Sequence, residues 1–411
     1  MKITIIDSKP GKGKTSYAIQ MMQENHEKKY IYITPFLDEV TRIIKNCDNR
    51  YFVEPDPKRG KGSKLNHLNN LLFEGINVAS THALFSNVNQ DTIDGLKMND
   101  YTLILDETMN VLEEIKLTKK DLQYLLKVNA IEINNDTKKI KWIDEEYDDF
   151  GKFADIKNAC KFGDVFLIDD KICYWVFPIE IFEYFSEVYI MTYMHQGQIQ
   201  TYYLDMYGTS YGIKSVEHKG TEGFGTCKRD IYGLIDYVKE DNSMYKDLIT
   251  VYEGRLNRLE NKKTDFSKTY YVNDKKNNKE KIKKLKTNLV NYFKKIVKGK
   301  SNDNMWTVYK DFKSLCQGDS YTKGFIECNI RATNKFRHKK HLAYCCNIYL
   351  NPMHKKLFQS NNVKVNEEYF ALDKIVQWIF RSQLRDENPI DIYIPSSRMR
   401  NLLYAWMNNE M

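Results

Sequence analysis

Short, wholly apolar runs alternate with segments of helical period through the first hundred residues. Lys2 to Ile6 reads as a buried strand, followed by a glycine-containing loop and a helix from about Thr15 to Glu27. Tyr30 to Thr34 reads as a second strand, stopped by Pro35, and Asp38 to Asn46 as a second helix. Tyr51 to Lys64 holds two prolines, two glycines and four Lys/Arg and reads as a mobile loop. Helical spacing returns over Leu65 to Phe73, and Asn77 to Ser80 and Tyr101 to Leu105 read as two more buried strands. Apolar strands separated by helices predict a parallel sheet with helices on both faces.

From about 111 to 186 the pattern loosens. Two helical stretches, a short strand (Ala130 to Ile133), an acidic loop (Asp144 to Asp149) and an aromatic strand (Ile172 to Phe177) read as an insertion. Glu187 to Met191 resumes the sheet. A second α/β region follows, with strands expected at Met305 to Tyr309, Gly324 to Asn329, His341 to Asn347 and Ile390 to Ile394. The expected organisation is a first domain over 1–195, a linker over 196–224, and a second domain over 225–411 carrying a basic helical segment at about 255–300.

Composition narrows the class. The chain has 411 residues, 42% hydrophobic and 29% charged, enough apolar material for two or three cores. Its 19 glycines and 8 prolines are too few for a low-complexity chain. No apolar run reaches the roughly 18 residues a membrane span needs, and the opening Met1 to Asp7 does not read as a signal peptide. The expected location is the cytoplasm, with no membrane partner. Eight cysteines (47, 160, 173, 227, 316, 328, 345, 346) include no C-x-x-C pair, so inert thiols are expected rather than zinc or disulfides. Net charge is +8, yet Arg255 to Lys300 alone holds 16 Lys/Arg against four acids. One basic block therefore carries the whole excess, as a polyanion partner or a solvated face would require.

The chemistry starts at Ser8-Lys9-Pro10-Gly11-Lys12-Gly13-Lys14-Thr15, between a strand and a helix. In that setting backbone N–H groups curl around a phosphate at a helix N-terminus, and glycines admit torsions a Cβ would block. Lys14 would reach the β- and γ-phosphates of ATP, and the Thr15 hydroxyl would hold Mg²⁺. Ser8 stands where the pattern usually begins with glycine. Leu103-Ile104-Leu105-Asp106-Glu107 supplies, at a strand end, an acid for the metal (Asp106) and a base for the attacking water (Glu107).

These residues, in this order, resemble the superfamily-2 helicases, particularly the compact helicases encoded by bacteriophages of low-GC bacteria. The resemblance runs over roughly 1–405, outside the insertion and the basic block. Gln377-Trp378-Ile379-Phe380-Arg381-Ser382-Gln383-Leu384-Arg385 resembles the family's Q-x-x-x-R-x-x-R motif, with one extra residue between the arginines. Gln377, Arg381 and Arg385 would share one face of a helix, and either arginine could be the one that meets the γ-phosphate. Thr192 stands at the family's coupling motif. Arg331-Ala332-Thr333-Asn334 resembles the motif that touches nucleotide and nucleic acid. Ser80-Thr81-His82 resembles a segment that holds the nucleic-acid backbone; hydroxyls that only cap a helix are the rival reading.

The resemblance implies an α/β fold of two RecA-like P-loop domains and an ATP-dependent helicase or translocase with ATP and Mg²⁺ as cofactors. It also implies a single-stranded or partly duplex partner, DNA favoured, and replication proteins of a phage in its host's cytoplasm. Because the phosphate loop begins at residue 8, no upstream adenine motif of the DEAD-box type is expected, and base selectivity is expected to be relaxed. A DNA-packaging ATPase, or another nucleic-acid-stimulated ATPase without unwinding, is the alternative. In the basic block, Tyr292 and Phe293 interleave the lysines as stacking platforms would, while Ile282, Leu285, Leu289, Phe293 and Ile296 form an apolar helix face. Lysines that met phosphates would make binding fall by about 0.7 log units per contact per decade of salt.

Overall fold

The computed structural model describes residues 2–148, 151–170, 172–223, 228–328 and 335–411. In chain order it forms β1 (Ile3–Asp7), α1 (Lys14–Glu24), β2 (Lys29–Thr34), α2 (Leu37–Asn46), β3 (Phe52–Val53), α3 (Lys64–Phe73), β4 (Asn77–Thr81), α4 (His82–Phe85), α5 (Gln90–Met98), β5 (Tyr101–Asp106) and β6 (Leu112–Ile115). It continues with α6 (Lys119–Lys127), β7 (Ile131–Ile133), β8 (Lys139–Trp142), α7 (Ala154–Lys161), β9 (Asp164–Ile168), β10 (Ile172–Val176), β11 (Phe185–Thr192), α8 (Ile199–Met206), β12 (Tyr211–Glu222) and β13 (Arg229–Asp236). The rest comprises α9 (Tyr245–Leu248), β14 (Ile249–Val251), α10 (Lys268–Lys276), α11 (Glu280–Asn291), β15 (Asn304–Thr307), α12 (Lys313–Cys316), β16 (His341–Tyr344), α13 (Pro352–Ser360), α14 (Glu367–Ile379), β17 (Ile390–Tyr393) and α15 (Ser397–Met407).

The chain divides into two α/β units. The first comprises Met1–Ser8, Lys12–Val238 and Asn351–Val365. Its sheet runs β13-β12-β1-β11-β5-β2-β4-β3, parallel at every pairing except the β12/β13 hairpin. Both faces are covered. Ile3, Ile5, Ile31, Ile33, Leu103 and Leu105 bury on one side, and Ile6, Tyr30, Tyr32, Ala79, Ile104 and Met191 on the other. Burial on two faces explains why these strands read as continuous apolar runs without alternation. Each such Ile or Leu contributes about 1.5–3 kcal/mol by leaving water.

Between β5 and β11 the chain builds a separate sheet, β6-β10-β9-β8-β7, antiparallel throughout. It has its own core of Leu125, Ile131, Ile140, Ile156 and Val165. The stretch 196–224, expected as a linker, contains α8 and all of β12, and Tyr202, Tyr203 and Leu204 bury in the first core. The first unit thus extends past 195 to Val238, and 351–365 returns to it as well, anchored by Leu357, Phe358 and Val363.

The second unit comprises Lys9–Gly11, Lys239–Leu350 and Asn366–Met411, around the parallel sheet β14-β17-β16-β15. Gly324 to Cys328 forms no strand; Phe325 makes a single bridge to Trp306. In the basic segment Ile282, Leu285, Leu289, Tyr292 and Phe293 are buried with Trp306 and Tyr321, whereas Ile296 is exposed. Tyr292 and Phe293 are therefore core residues, a correction to their reading as stacking platforms. The lysines between them, Lys281, Lys283, Lys284 and Lys286 among others, remain on the surface. All seven cysteines among the described residues are free thiols, five of them buried.

Candidate active site

Parallel strands that point the same way deliver their carboxyl ends to one edge. In the first unit Asp7 of β1 pairs with Thr192 of β11, and Met191 pairs with Asp106 of β5. Ile33 of β2 pairs with Leu105, and Thr34 with Thr81 of β4. The loop after β1, Asp106, Thr192 and Thr81 are thus brought to one edge of one sheet by register alone.

The loop has the backbone its sequence calls for. Gly11 and Gly13 adopt φ of 91° and 89°, and Gly13 is the N-cap of α1. Among the described residues no side chain caps α1, and its first turn carries no acid. Its leading N–H groups and the positive end of its dipole suit an anion. Gly11 and Lys12 are exposed, and Lys14 and Thr15 half-buried. The Lys14 ammonium donates to the Ser8 carbonyl, folding back over the loop. The Ser8 hydroxyl accepts from Val216 N–H at 2.9 Å, so this buried side chain fastens the loop's base to β12. Lys9 is buried in the second unit, where its backbone N–H donates to Glu240 at 3.0 Å and its ammonium lies 3.1 Å from the same carboxylate.

Gly13→Ala tests this backbone. An L-residue at that torsion costs about 1–2 kcal/mol, and the added Cβ would stand 2.1 Å from Tyr232 Cε1. The expected result is a melting temperature lower by about 2–8 °C, read by thermal denaturation.

Asp106 and Glu107 sit at the end of β5. Tyr32 O–H donates to Asp106 Oδ2 at 2.8 Å. Burial, with the Glu107 charge beside it, pushes the Asp106 carboxyl up to about 7, against the opposing pull of the Tyr32 hydrogen bond and of Lys14. Glu107 is held in the left-handed region at φ 69°, with its N–H donating to Met191 O at 3.0 Å. A non-glycine residue there stores about 1–3 kcal/mol of strain, an arrangement that clusters at functional sites.

Several residues that sequence reading passed over hold this edge together. Asp7, buried, accepts from Met194 N–H at 2.9 Å and His195 N–H at 3.0 Å and meets His195 Nδ1 at 2.5 Å. It thereby fixes the left-handed Met194 (φ 52°) after β11. Gln198 accepts from the Thr108 hydroxyl at 3.3 Å, and Gln200 Oε1 accepts from Met109 N–H at 2.9 Å. The Glu107–Met109 segment after β5 is thus tied to the turn after β11 and to the start of α8. Asp7, as a charge at the end of a buried strand, was the one sequence signal available.

The expected nucleic-acid residues fare differently. Thr192 is buried and its hydroxyl donates to Tyr193 O at 3.4 Å. Thr81 Oγ1 accepts from Leu84 N–H at 3.4 Å as the N-cap of α4, the rival role, and His82 is half-buried beside it. Arg331, Thr333 and Asn334 lie outside the described residues.

In the second unit α14 ends at Ile379, so Gln377, Arg381 and Arg385 do not share a helix face. The Ser382 hydroxyl donates to Ile379 O at 2.6 Å and accepts from Leu384 N–H at 3.3 Å, closing α14 and opening a 3₁₀ turn at Gln383–Asp386. Gln377 Nε2 donates to the buried Asp373 at 2.7 Å. Arg381 is buried, whereas Arg385 is half-buried on the 3₁₀ turn.

Residues 112–175, nearly the whole inserted sheet, match the model of a YonV middle domain. Residues 243–407 match a YonV C-terminal Rossmann-like domain. Among solved structures the chain is similar to S. tokodaii Xpd4, with 11% identity, TM-score 0.46, and coverage of 98% of this chain and 93% of that one. It is similar also to an XPD helicase (13%, TM-score 0.48, 99% and 95%) and to the DUF1998 helicase MrfA bound to DNA and AMPPNP (9%, TM-score 0.37, 100% and 48%). Over its full length it is 39% identical to an uncharacterized SPbeta prophage-derived protein, YonV of Bacillus subtilis strain 168, across 99% of that protein. Sharing both modules and this identity from end to end, the chain belongs to the YonV family.

Proposed function

We propose that this chain is a nucleic-acid-stimulated ATPase that moves along or unwinds a strand, with DNA in a phage genome as its track. The observation that carries the reading is the single sheet edge that gathers the Gly11–Gly13 loop, Lys14, Asp106 and the strained Glu107. Backbone N–H groups at the start of α1 would hold the phosphates, and Lys14, released from Ser8 O, would neutralise them. Thr15 and Asp106 offer hard oxygen donors of the kind Mg²⁺ selects, and the Tyr32 hydrogen bond holds Asp106 Oδ2 in place for that role. When bound, the ion would neutralise charge developing on the phosphoryl oxygens. Glu107 would accept a proton from the attacking water and aim it. Arg385 would be the arginine that offsets charge in the transition state. Gln198 and Gln200 would pass a change at the acidic loop to the turn after β11. The prophage origin of the 39%-identical relative supports a phage setting.

The test is steady-state ATP hydrolysis by the full chain, with and without single-stranded DNA or RNA. Strong stimulation by one polymer is expected. A low rate unmoved by either would overturn the reading. Displacement of a paired strand would then separate a helicase from a translocase or packaging-type ATPase.

A further inference from the structure

A phosphate loop holds only one end of a nucleotide, and the base must find a surface of its own. In the first unit the ring beside the loop belongs to Tyr232 of β13. It occupies the volume that a side chain at Gly13 would take: a Cβ there would stand 2.1 Å from Cε1 and 2.7 Å from Cδ1. The ring is half-buried and packs at its edge against His218, with centroids 5.3 Å apart and planes inclined at 62°.

Its position is set by α1, the helix that the loop opens. Gln20 Oε1 accepts from Tyr232 N–H at 2.9 Å, and Gln20 Nε2 donates to Tyr232 O at 3.2 Å. Two turns of contact are completed by Arg229, which pairs with Glu24 at 3.1 Å. Strand β13 thus travels with the N–H groups that would bind phosphate, and its tyrosine keeps a fixed place relative to them. A purine or pyrimidine stacks well on such an aromatic face, and does so with little regard to which base it is.

We propose that Tyr232 is the base-stacking residue of the nucleotide site, a specificity-determining position contributed by the β12/β13 hairpin. This rests on the reading of residues 8–15 as a phosphate loop, and the experiment separates the two. Calorimetric titration of the full chain with MgATP and with magnesium tripolyphosphate, which has no base, is compared among wild type, Tyr232→Phe and Tyr232→Leu. Leucine keeps most of the apolar volume against Gly13 and removes only the π-face. The expected result is that Tyr232→Leu binds ATP about 5- to 100-fold more weakly, the range for one lost stack, with tripolyphosphate binding unchanged and Tyr232→Phe like wild type. Equal weakening of ATP and tripolyphosphate would mean that the ring only braces the loop, and would overturn the proposal. So would ATP binding by Tyr232→Leu at wild-type strength. Wild type that bound neither ligand would instead overturn the phosphate-loop reading, and the proposal with it.

Discussion

Lys14→Ala is expected to reduce ATP turnover by at least about 10²–10³-fold, the cost of removing one preorganised donor from a phosphoryl-transfer site, while single-stranded nucleic acid still binds. The physical reason lies in what the side chain does without nucleotide. Its ammonium donates to Ser8 O, a carbonyl of its own loop, and its charge lowers the proton affinity of Asp106. Alanine, the best helix former, suits the first position of α1. The fold should therefore survive the change while the phosphates lose their cation. The measurement is steady-state hydrolysis beside single-strand binding by anisotropy. Turnover retained would show that Lys14 is not the phosphate lysine. Loss of both activities, with a lowered melting temperature, would show a lysine that supports structure instead.

Why this lysine was legible, and the arginines less so, follows from the range of the interactions involved. Gly11, Gly13, Lys14 and Thr15 form a local turn between one strand and one helix, and local geometry is written in adjacent residues. The strands β1, β2, β4 and β5 were legible for a similar reason, since burial on both faces leaves an uninterrupted apolar run. The Asp7–His195 pairing joins residues 188 apart in the chain, and no periodicity reports it. Tyr292 and Phe293 carry the same apolar spacing whether they meet a base or a core; only the packing on Trp306 and Tyr321 decides it. The segment 351–365, with α13, reads as part of the second domain until Leu357 and Phe358 are seen in the first core. The end of α14 turned on one hydroxyl, Ser382, whose two hydrogen bonds outweigh a helical pattern continuing to Arg385.

That same serine separates the surroundings of the two arginines. Arg381 lies two residues past the end of α14 and is only 7% exposed. A guanidinium so placed is part of the packing, and its removal leaves a hole and partners that lose a charged donor. Arg385 stands on the 3₁₀ turn and is half-buried, with more of its surface open to solvent than Arg381 has. Arg385→Ala is therefore expected to lower polymer-stimulated kcat by about 10³–10⁵-fold, as loss of a transition-state arginine does, with little change in melting temperature. Arg381→Ala is expected to lower the melting temperature first and activity only through it. Both variants are assayed for hydrolysis and thermal denaturation side by side. The reverse pattern, a stable Arg381→Ala that cannot hydrolyse ATP beside an active Arg385→Ala, would move the catalytic assignment to Arg381, and would require the segment after α14 to rearrange before ATP is cleaved.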